Sequence, residues 1–427
     1  MKLTKSKKLF TKVEKLIPLA SQTFSKSYLQ FIKGQAPLFI ERGQGAHVWD
    51  IDSNKYVDFI NGLLPVILGY QYRAVDEAIK KQLKKGIIFS LASPLEYELA
   101  QLLKKHIPCA EMVRFGKNGS DVTTGAVRLA RAITGREHIA ACGYHGWHDW
   151  YIGSTTRNLG VPIGTQKLTH KFEYNNIKSL QEIFTKNKGK IAAVIMEPMN
   201  YEEPRDNFLE RVKELAHQNG ALLIFDEIIT GFRFSLGGAQ RLFGVTPDLA
   251  TFGKSMANGM PISVLAGKKE YMEKINDIFY SFTFGGECLS LAAAIATIKE
   301  MEKKKVIENI WRQGRYLIEQ TNKLIEANGL QAVIRIKGQP CWSLVFTYEY
   351  NGYTDLEIKS YLQQELIARG FLWYGQHNMS FSHSRQDING LIKAYGEVFP
   401  KLKKLLDEKK LKENLKGEPI TNIFKVR

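Results

Sequence analysis

The stretch Asp248–Pro261, DLATFGKSMANGMP, sets four apolar residues, Leu249–Phe252, before Gly253, Lys254 and a loop rich in Gly, Asn and Pro. An apolar run this short, bounded by turn residues, reads as a fully buried strand. The pattern recurs along the chain. Met112–Phe115, His138–Cys142, Ala192–Met196 (AAVIM), Ala221–Phe225 (ALLIF) and ISVLAG from Ile262 are all short and largely apolar. A helical period at 94–106 precedes them, and another, DVTTGAVRLARAITG at 121–135, lies between the first two. Strands that are apolar on both faces and alternate with helices predict an α/β domain whose mostly parallel sheet is covered on both sides.

The flanks differ from this middle. Residues 37–59, PLFIERGQGAHVWDIDSNKYVDF, read as three short strands with turns at Arg42–Gly45 and Asp52–Asn54. Residues 73–85 have the period of an amphipathic helix, and helices dominate after Thr283. The last hundred residues mix strand (CWSLVFTY, 341–348) with helix (TDLEIKSYLQQELIARG, 354–370), as in a smaller α+β unit. The expected division is an N-terminal segment over 1–65 that packs with the small domain, a large domain over 66–315 and a small domain over 316–427.

A chain of 427 residues can bury a large core, and 44% hydrophobic with 24% charged is an ordinary globular balance. The formal charge is +17, from 60 Lys and Arg against 43 Asp and Glu. Such an excess raises nucleic acid or anionic membrane as partners. The cations are mostly lysines in helical stretches with Glu or Asp three or four positions away, as in KKLLDEKKLKENLK. They read as a solvated surface with a preference for small anionic substrates, without nucleic-acid or membrane partners. The cysteines, Cys109, Cys142, Cys288 and Cys341, are widely spaced, which fits a reducing cytoplasm. Lys12, Glu14 and Lys15 interrupt any secretory h-region, and no apolar run is long enough to span a bilayer.

In an open parallel sheet, ligands sit outside the carboxyl ends of the strands. After Met112–Phe115 comes Lys117-Asn118-Gly119-Ser120-Asp121 at a helix start. The N–H groups of Asn118, Gly119 and Ser120 could hold an anion there, or the segment could simply cap the helix. After His138–Cys142 comes Gly143-Tyr144-His145-Gly146-Trp147-His148. His145 and His148 have no Cys or carboxylate partner evident in sequence, so no metal is expected. Tyr144 or His145 between glycines suits stacking on a flat ring. Glu197 and Asp226 follow buried strands; a desolvated carboxylate there needs a cationic partner, or else caps a turn. Lys254 could belong to a P-loop, but that motif requires glycine at 248 and the residue is Asp248. A nucleophilic lysine at a strand end is the remaining reading. An anion-binding helix start, a stacking ring, a buried aspartate and a strand-end lysine together suit pyridoxal 5'-phosphate.

These stretches, with MEP at 196–198, LLIFDEIITGFR at 222–233, TPDLATFGKSMANGMP at 246–261 and TFGGECLSLAAA at 283–294, resemble the class III aminotransferases of fold type I. The likeness runs from about Ala36 to Pro400 and is nearest the glutamate-1-semialdehyde aminomutase branch. The resemblance implies an aminotransferase in which Lys254 carries the Schiff base and moves the proton, and Asp226 pairs with the pyridinium nitrogen. It further implies Tyr144 on one ring face and Ile228 on the other, Gly119 and Ser120 at the phosphate, and Glu197 in support. Thr283 would reach the phosphate of the neighbouring subunit of a homodimer.

The departures fall on the substrate side. The aminomutase's Ser-Pro-x-Arg stretch falls on Ser25, Lys26, Ser27 and Tyr28, so the arginine for an α-carboxylate is absent. Its tryptophan falls on Leu63, a glutamate near the last strand on Gly375 or Gln376, and its Asn-Pro on Glu287-Cys288. Lys117 and Asp121 stand where Asn and Glu are usual. Tyr cannot replace a guanidinium clamp. The expectation is therefore a transaminase moving an amino group from a donor to an aldehyde or ketone other than glutamate semialdehyde. Ser25, Tyr28, Leu63, His145 and Gln376 are its candidate substrate residues. Tyr28, Gln376, His377 and Asn378 offer hydrogen bonds that would suit a hydroxylated acceptor such as a sugar. The aminomutase itself, and a homologue that binds without catalysing, are the alternatives.

Overall fold

The computed structural model describes residues 2–421 and divides them into two compact units, 2–72 with 308–421, and 73–307. The first unit begins with an antiparallel meander of β1 (Ile40–Gln44), β2 (His47–Asp50) and β3 (Lys55–Asp58). Residues 67–70, which the sequence assigns to the large domain, bond to this unit. The carbonyl of Tyr70 accepts from Gly45 N–H at 2.9 Å, and that of Ile67 from Phe381 N–H at 2.8 Å. These bonds carry the unit past residue 65.

The second unit holds a seven-stranded sheet of β4 (Met112–Gly116), β5 (His138–Cys142), β6 (Thr169–Lys171), β7 (Ile191–Met196), β8 (Leu222–Asp226), β9 (Leu249–Phe252) and β10 (Ser263–Gly267). Its order is β4-β10-β9-β8-β7-β5-β6. Every residue of β7, β8, β9 and β10 is buried, so both sheet faces are covered. Strand β10 is antiparallel to both β9 and β4, while β9-β8-β7-β5-β6 are parallel throughout. Six strands therefore point one way. The segments that follow β4, β5, β7, β8 and β9 emerge at one edge, which is where a ligand is expected.

The chain then returns to the first unit. There β11 (Ile334–Gln339), β12 (Trp342–Thr347) and β14 (Gln376–Asn378) form a second sheet, and β13 (Phe371–Leu372) extends the meander beside β3. The N-terminal meander and the C-terminal third thus share a sheet and a core that includes Val48, Tyr56, Ile367 and Leu372. No helix among the described residues is long and apolar enough to cross a membrane.

Candidate active site

Five strand ends of the 73–307 unit bring the charged and aromatic candidates to one edge. Asp226 is the last residue of β8, 3% exposed, and sits opposite Thr251 of β9. Its Oδ1 accepts from Ile228 N–H at 3.1 Å and Thr251 Oγ1 at 3.3 Å. Its Oδ2 lies 2.8 Å from Nδ1 of His145. A carboxylate offers about four acceptor positions, so capacity remains for one more donor. A buried anion needs a cation or strong donors. A protonated pyridine nitrogen meets that need, so the site fits pyridoxal phosphate.

Lys254 lies three residues beyond Thr251, at the same end of the sheet. Its φ is 39°, a left-handed conformation for a side chain that disfavours it. Such strain costs about 1–2 kcal/mol and is characteristic of functional positions. The extended Gly253 before it leads into a 3-10 turn over Lys254–Ala257. A Cβ on Gly253 would come within 3.3 Å of the Ile228 side chain, and so would a Cβ on Gly119. Ile228 therefore lies between the helix start and the lysine turn.

The helix Gly119–Thr134 follows β4, and Asp121 accepts from Lys117 N–H at 3.0 Å and Asn118 N–H at 2.7 Å. That carboxylate fixes the turn, while the first N–H groups of any helix lack intrahelical acceptors and suit an anion. Ser120 Oγ accepts from Trp147 N–H at 3.2 Å, joining this turn to the loop after β5. Gly146, at φ 101°, lies against Ser120, and a Cβ there would overlap the hydroxyl. This close approach explains the glycine.

Tyr144 keeps 42% of its surface exposed and meets Tyr151 edge-on, with ring centroids 5.7 Å apart. Burial, and then the Asp226 carboxylate, push its hydroxyl pKa up, so the phenol stays neutral. Glu197, buried after β7, accepts from Tyr144 N–H at 3.2 Å and holds the backbone beneath the ring. Thr283 is exposed and lines a groove of about 380 Å³ with Ile88, Phe89, Leu91 and Phe282.

The substrate candidates separate. Ser25 and Leu63, 38 positions apart in sequence, line one cavity of about 360 Å³ in the first unit, together with Lys26. Its wall is mostly apolar, from Phe31, Leu38, Phe39, Ile60 and Leu372, with Ser21, Ser25, Lys26, Asp58 and Tyr70 as polar groups; among the described residues no arginine lines it. Tyr28 instead packs edge-on against Phe10, with centroids 5.0 Å apart. Gln376 pairs with Leu344 in the β12–β14 ladder. Neither lines the cavity. His145 is 2% exposed and bonded to Asp226, so it supports the carboxylate and does not face a substrate.

His377 and Asn378 are likewise committed. His377 bonds Ser343 Oγ at 3.0 Å and Tyr395 OH at 2.8 Å, and Asn378 Nδ2 donates to the Ile60 carbonyl at 2.7 Å. Both are fully buried, so they fasten β14 and cannot read a hydroxylated substrate.

Sequence reasoning overlooked two relations. Thr251 touches Asp226 from inside a strand, where nothing in the apolar run marks it. Lys117 Nζ forms an ion pair with Glu287 Oε2 at 2.9 Å, joining two positions that depart separately from the family pattern. Their shared departure was the available signal.

Comparison with known proteins agrees with this geometry. The aminotransferase class-III family model matches residues 30–359. The chain is 38% identical over 419 residues to a 3-aminobutyryl-CoA aminotransferase of Cloacimonas acidaminovorans, covering 95% of this chain and 99% of that protein. It is 39% identical over 344 residues to a glutamate-1-semialdehyde 2,1-aminomutase of Acetivibrio thermocellus, covering 76% and 80%. Among solved structures, a PLP form of the FumI protein of Sphingopyxis sp. MTA144 superposes with a TM-score of 0.88 at 27% identity, covering 95% of this chain and 98% of that one. The chain belongs to the class-III aminotransferases and is a pyridoxal-phosphate-dependent transaminase of fold type I.

Proposed function

We propose that this transaminase acts on a substrate with an apolar chain whose reacting carbon does not carry a free carboxylate, as in a 3-aminoacyl thioester and its 3-oxo counterpart. The observation that carries this reading is the cavity shared by Ser25, Lys26 and Leu63, mostly apolar and, among the described residues, without arginine. An α-carboxylate buried there would lack a bidentate partner. Apolar walls favour a hydrocarbon chain over a sugar. The similarity to a 3-aminobutyryl-CoA aminotransferase over nearly its whole length supports the same class. Lys26 and the positive balance of the chain suit an anionic group elsewhere on the substrate.

Pyridoxal phosphate, when bound, supplies an aldehyde that accepts an amino group and a protonated ring that withdraws electrons. The chain does the rest. Lys254 is the amine that would hold the aldehyde, and its Nζ would carry the proton between carbon atoms. The Asp226 carboxylate would pair with the ring nitrogen and keep it protonated. His145, donating from Nδ1, fixes the orientation of that carboxylate and adds to its stabilisation. Tyr144 and Ile228 would pack against the ring, and the helix start at Asn118, Gly119 and Ser120 would take the phosphate.

The active form is a homodimer in which Thr283 reaches the neighbouring phosphate. Ile87, Ile88, Phe89, Leu91 and Phe284 are each at least 42% exposed around that groove, an apolar surface that a second copy would cover. The four buried thiols support a cytoplasmic setting.

The test is a half-reaction screen that follows conversion of the cofactor between its aldehyde and amine absorbance bands. A 3-aminoacyl thioester should convert it and an α-amino acid of equal chain length should not. Formation of aminolevulinate from glutamate semialdehyde at a comparable rate would establish the aminomutase reading instead, which the similarity to such enzymes favours.

A further inference from the structure

Lys117 and Glu287 lie 170 positions apart, and neither is the residue that the family resemblance leads one to expect. Lys117 immediately precedes Asn118, Gly119 and Ser120. Its ammonium is 2.9 Å from Glu287 Oε2 and 3.3 Å from Ser290 Oγ. Both side chains of the pair are less than one-fifth exposed. Glu287 is also the N-cap of the helix Cys288–Lys303, accepting from Leu289 N–H at 2.6 Å. Burial alone would raise its pKa, but hydrogen bonds from Ser290 and Lys117 hold the carboxyl below its usual range, so it stays charged.

Glu287 ends the segment that begins at Thr283, and other contacts seat that segment. Gly285 lies so close to the end of β4 that a Cβ would be 3.2 Å from the Phe115 carbonyl oxygen. Cys288 N–H donates to the Ile87 carbonyl at 2.8 Å. Arg114 in β4 donates to the Tyr280 carbonyl at 3.3 Å. The segment is laid along β4, and Lys117–Glu287 is its charged tie to the turn at 117–120.

We propose that Lys117 and Glu287 form a brace that positions two phosphate-binding elements at once: the subunit's own helix start and the Thr283 segment directed at its neighbour. This rests on the cofactor and dimer reading above. Both are positioning residues, acting through Gly119, Ser120 and Thr283. A plain field effect would work differently. If Lys117 only attracted phosphate, Glu287 would oppose it by neutralising its charge, and removing Glu287 would tighten binding. A brace loses its function whichever end is cut.

The experiment measures equilibrium binding of pyridoxal phosphate and of pyridoxal to the full-length apoenzyme by absorbance. The proteins are wild type, Lys117→Met, Lys117→Arg and Glu287→Gln, each with its sedimentation profile and melting temperature. A coupled pair of this kind predicts a roughly tenfold loss of pyridoxal phosphate affinity in both Lys117→Met and Glu287→Gln. Pyridoxal binding should stay unchanged, and Lys117→Arg should retain most of the affinity. Wild-type or tighter phosphate-cofactor binding by Glu287→Gln would overturn the proposal. So would equal losses for pyridoxal and its phosphate, which would mark a general structural role. A monomeric wild-type protein would sink the dimer reading and the neighbour's half of the brace. If neither compound bound the wild type, the cofactor placement would be at fault.

Discussion

The two units build their candidate sites from different materials. The 73–307 unit puts single side chains at the ends of buried parallel strands, and each is fixed by its sheet neighbours. Asp226 is held through Thr251 and His145, Tyr144 through Glu197, and Ser120 through the Gly146–Trp147 loop. The 2–72/308–421 unit makes a cavity from segments that are mostly not sheet. Ser21 and Ser25 come from short turns, Pro37–Phe39 from a connector, and Gly62–Leu63 from a left-handed turn. A strand end presents one residue in one direction, so changing it changes the chemistry. A wall of loops distributes recognition over many apolar contacts, and each can change at modest cost. If the cavity reads the substrate as proposed, cofactor chemistry and substrate choice fall to structures of different tolerance.

Substitutions at the strand ends should be severe, and two of them test that side of the contrast. Lys254→Ala should lower turnover by about 10³–10⁴-fold, the scale of a lost proton-transfer and nucleophilic group. Stopped-flow amino transfer measures it, and turnover within tenfold of wild type would remove Lys254 from the chemistry. Asp226→Asn keeps the shape of the side chain but loses its charge. Turnover should fall about 10²-fold, as for loss of a preorganised electrostatic group. The cofactor should still bind, because Gly119, Ser120 and Lys254 are untouched. An unchanged rate would mean that Asp226 has no role at the ring nitrogen.

Legibility in the sequence follows the same division. Leu249–Phe252 and Leu222–Phe225 carry their burial on both faces in their composition, so the sheet and the residues at its ends could be read directly. Lys254 stood out by its place after a buried strand, downstream of Asp226 and the helix start at 118–120, and its Schiff-base role came from the family resemblance. His145 was visible as a residue of the site but took the wrong role, because its partner Asp226 lies 81 positions away and only the β5-β7-β8 order brings them together. His377 and Asn378 failed for a related reason. Their polarity suggested a substrate, while their bonds to Tyr395, Ser343 and Ile60 depend on packing that no local pattern encodes. Ser25 and Leu63 were singled out through the family resemblance alone, and no period in the chain would have joined them in one cavity wall.

The first unit is also where acid should act. His377 is fully buried and its pKa is pushed down to about 3, by burial first and by the nearby His383 second. The unfolded chain binds that proton near pH 6.5, and the folded chain does so only near pH 3. Folding therefore loses stability as pH falls from about 6.5 toward 3, by a few kcal/mol in all. Above pH 6.5 both states are neutral and the group contributes no slope. Thermal melting at several pH values should show a shallower acid slope between pH 6.5 and 4.5 for His377→Leu than for wild type, although the variant starts less stable. Parallel slopes would mean that His377 is protonated in the folded protein.

The smallest expected effect on stability tests the tolerance of the cavity wall. Asn61, Gly62, Leu63 and Leu64 all have positive φ, and Leu63 is at 76°. Leucine in that region costs about 1–2 kcal/mol, which glycine would not incur. Leu63→Gly should relieve this strain while losing a partly buried side chain and adding flexibility to the unfolded chain. These terms nearly cancel, leaving stability within about 1 kcal/mol of wild type. Specificity should move further than stability. Removing Leu63 from the wall lengthens the cavity, so kcat/KM for acceptors two or three methylenes longer should rise relative to short ones by about tenfold. Leu63→Trp should shift the ratio the opposite way. A glycine variant that loses rate equally on every chain length would show that the left-handed turn holds backbone geometry, and that chain length is read elsewhere on the wall.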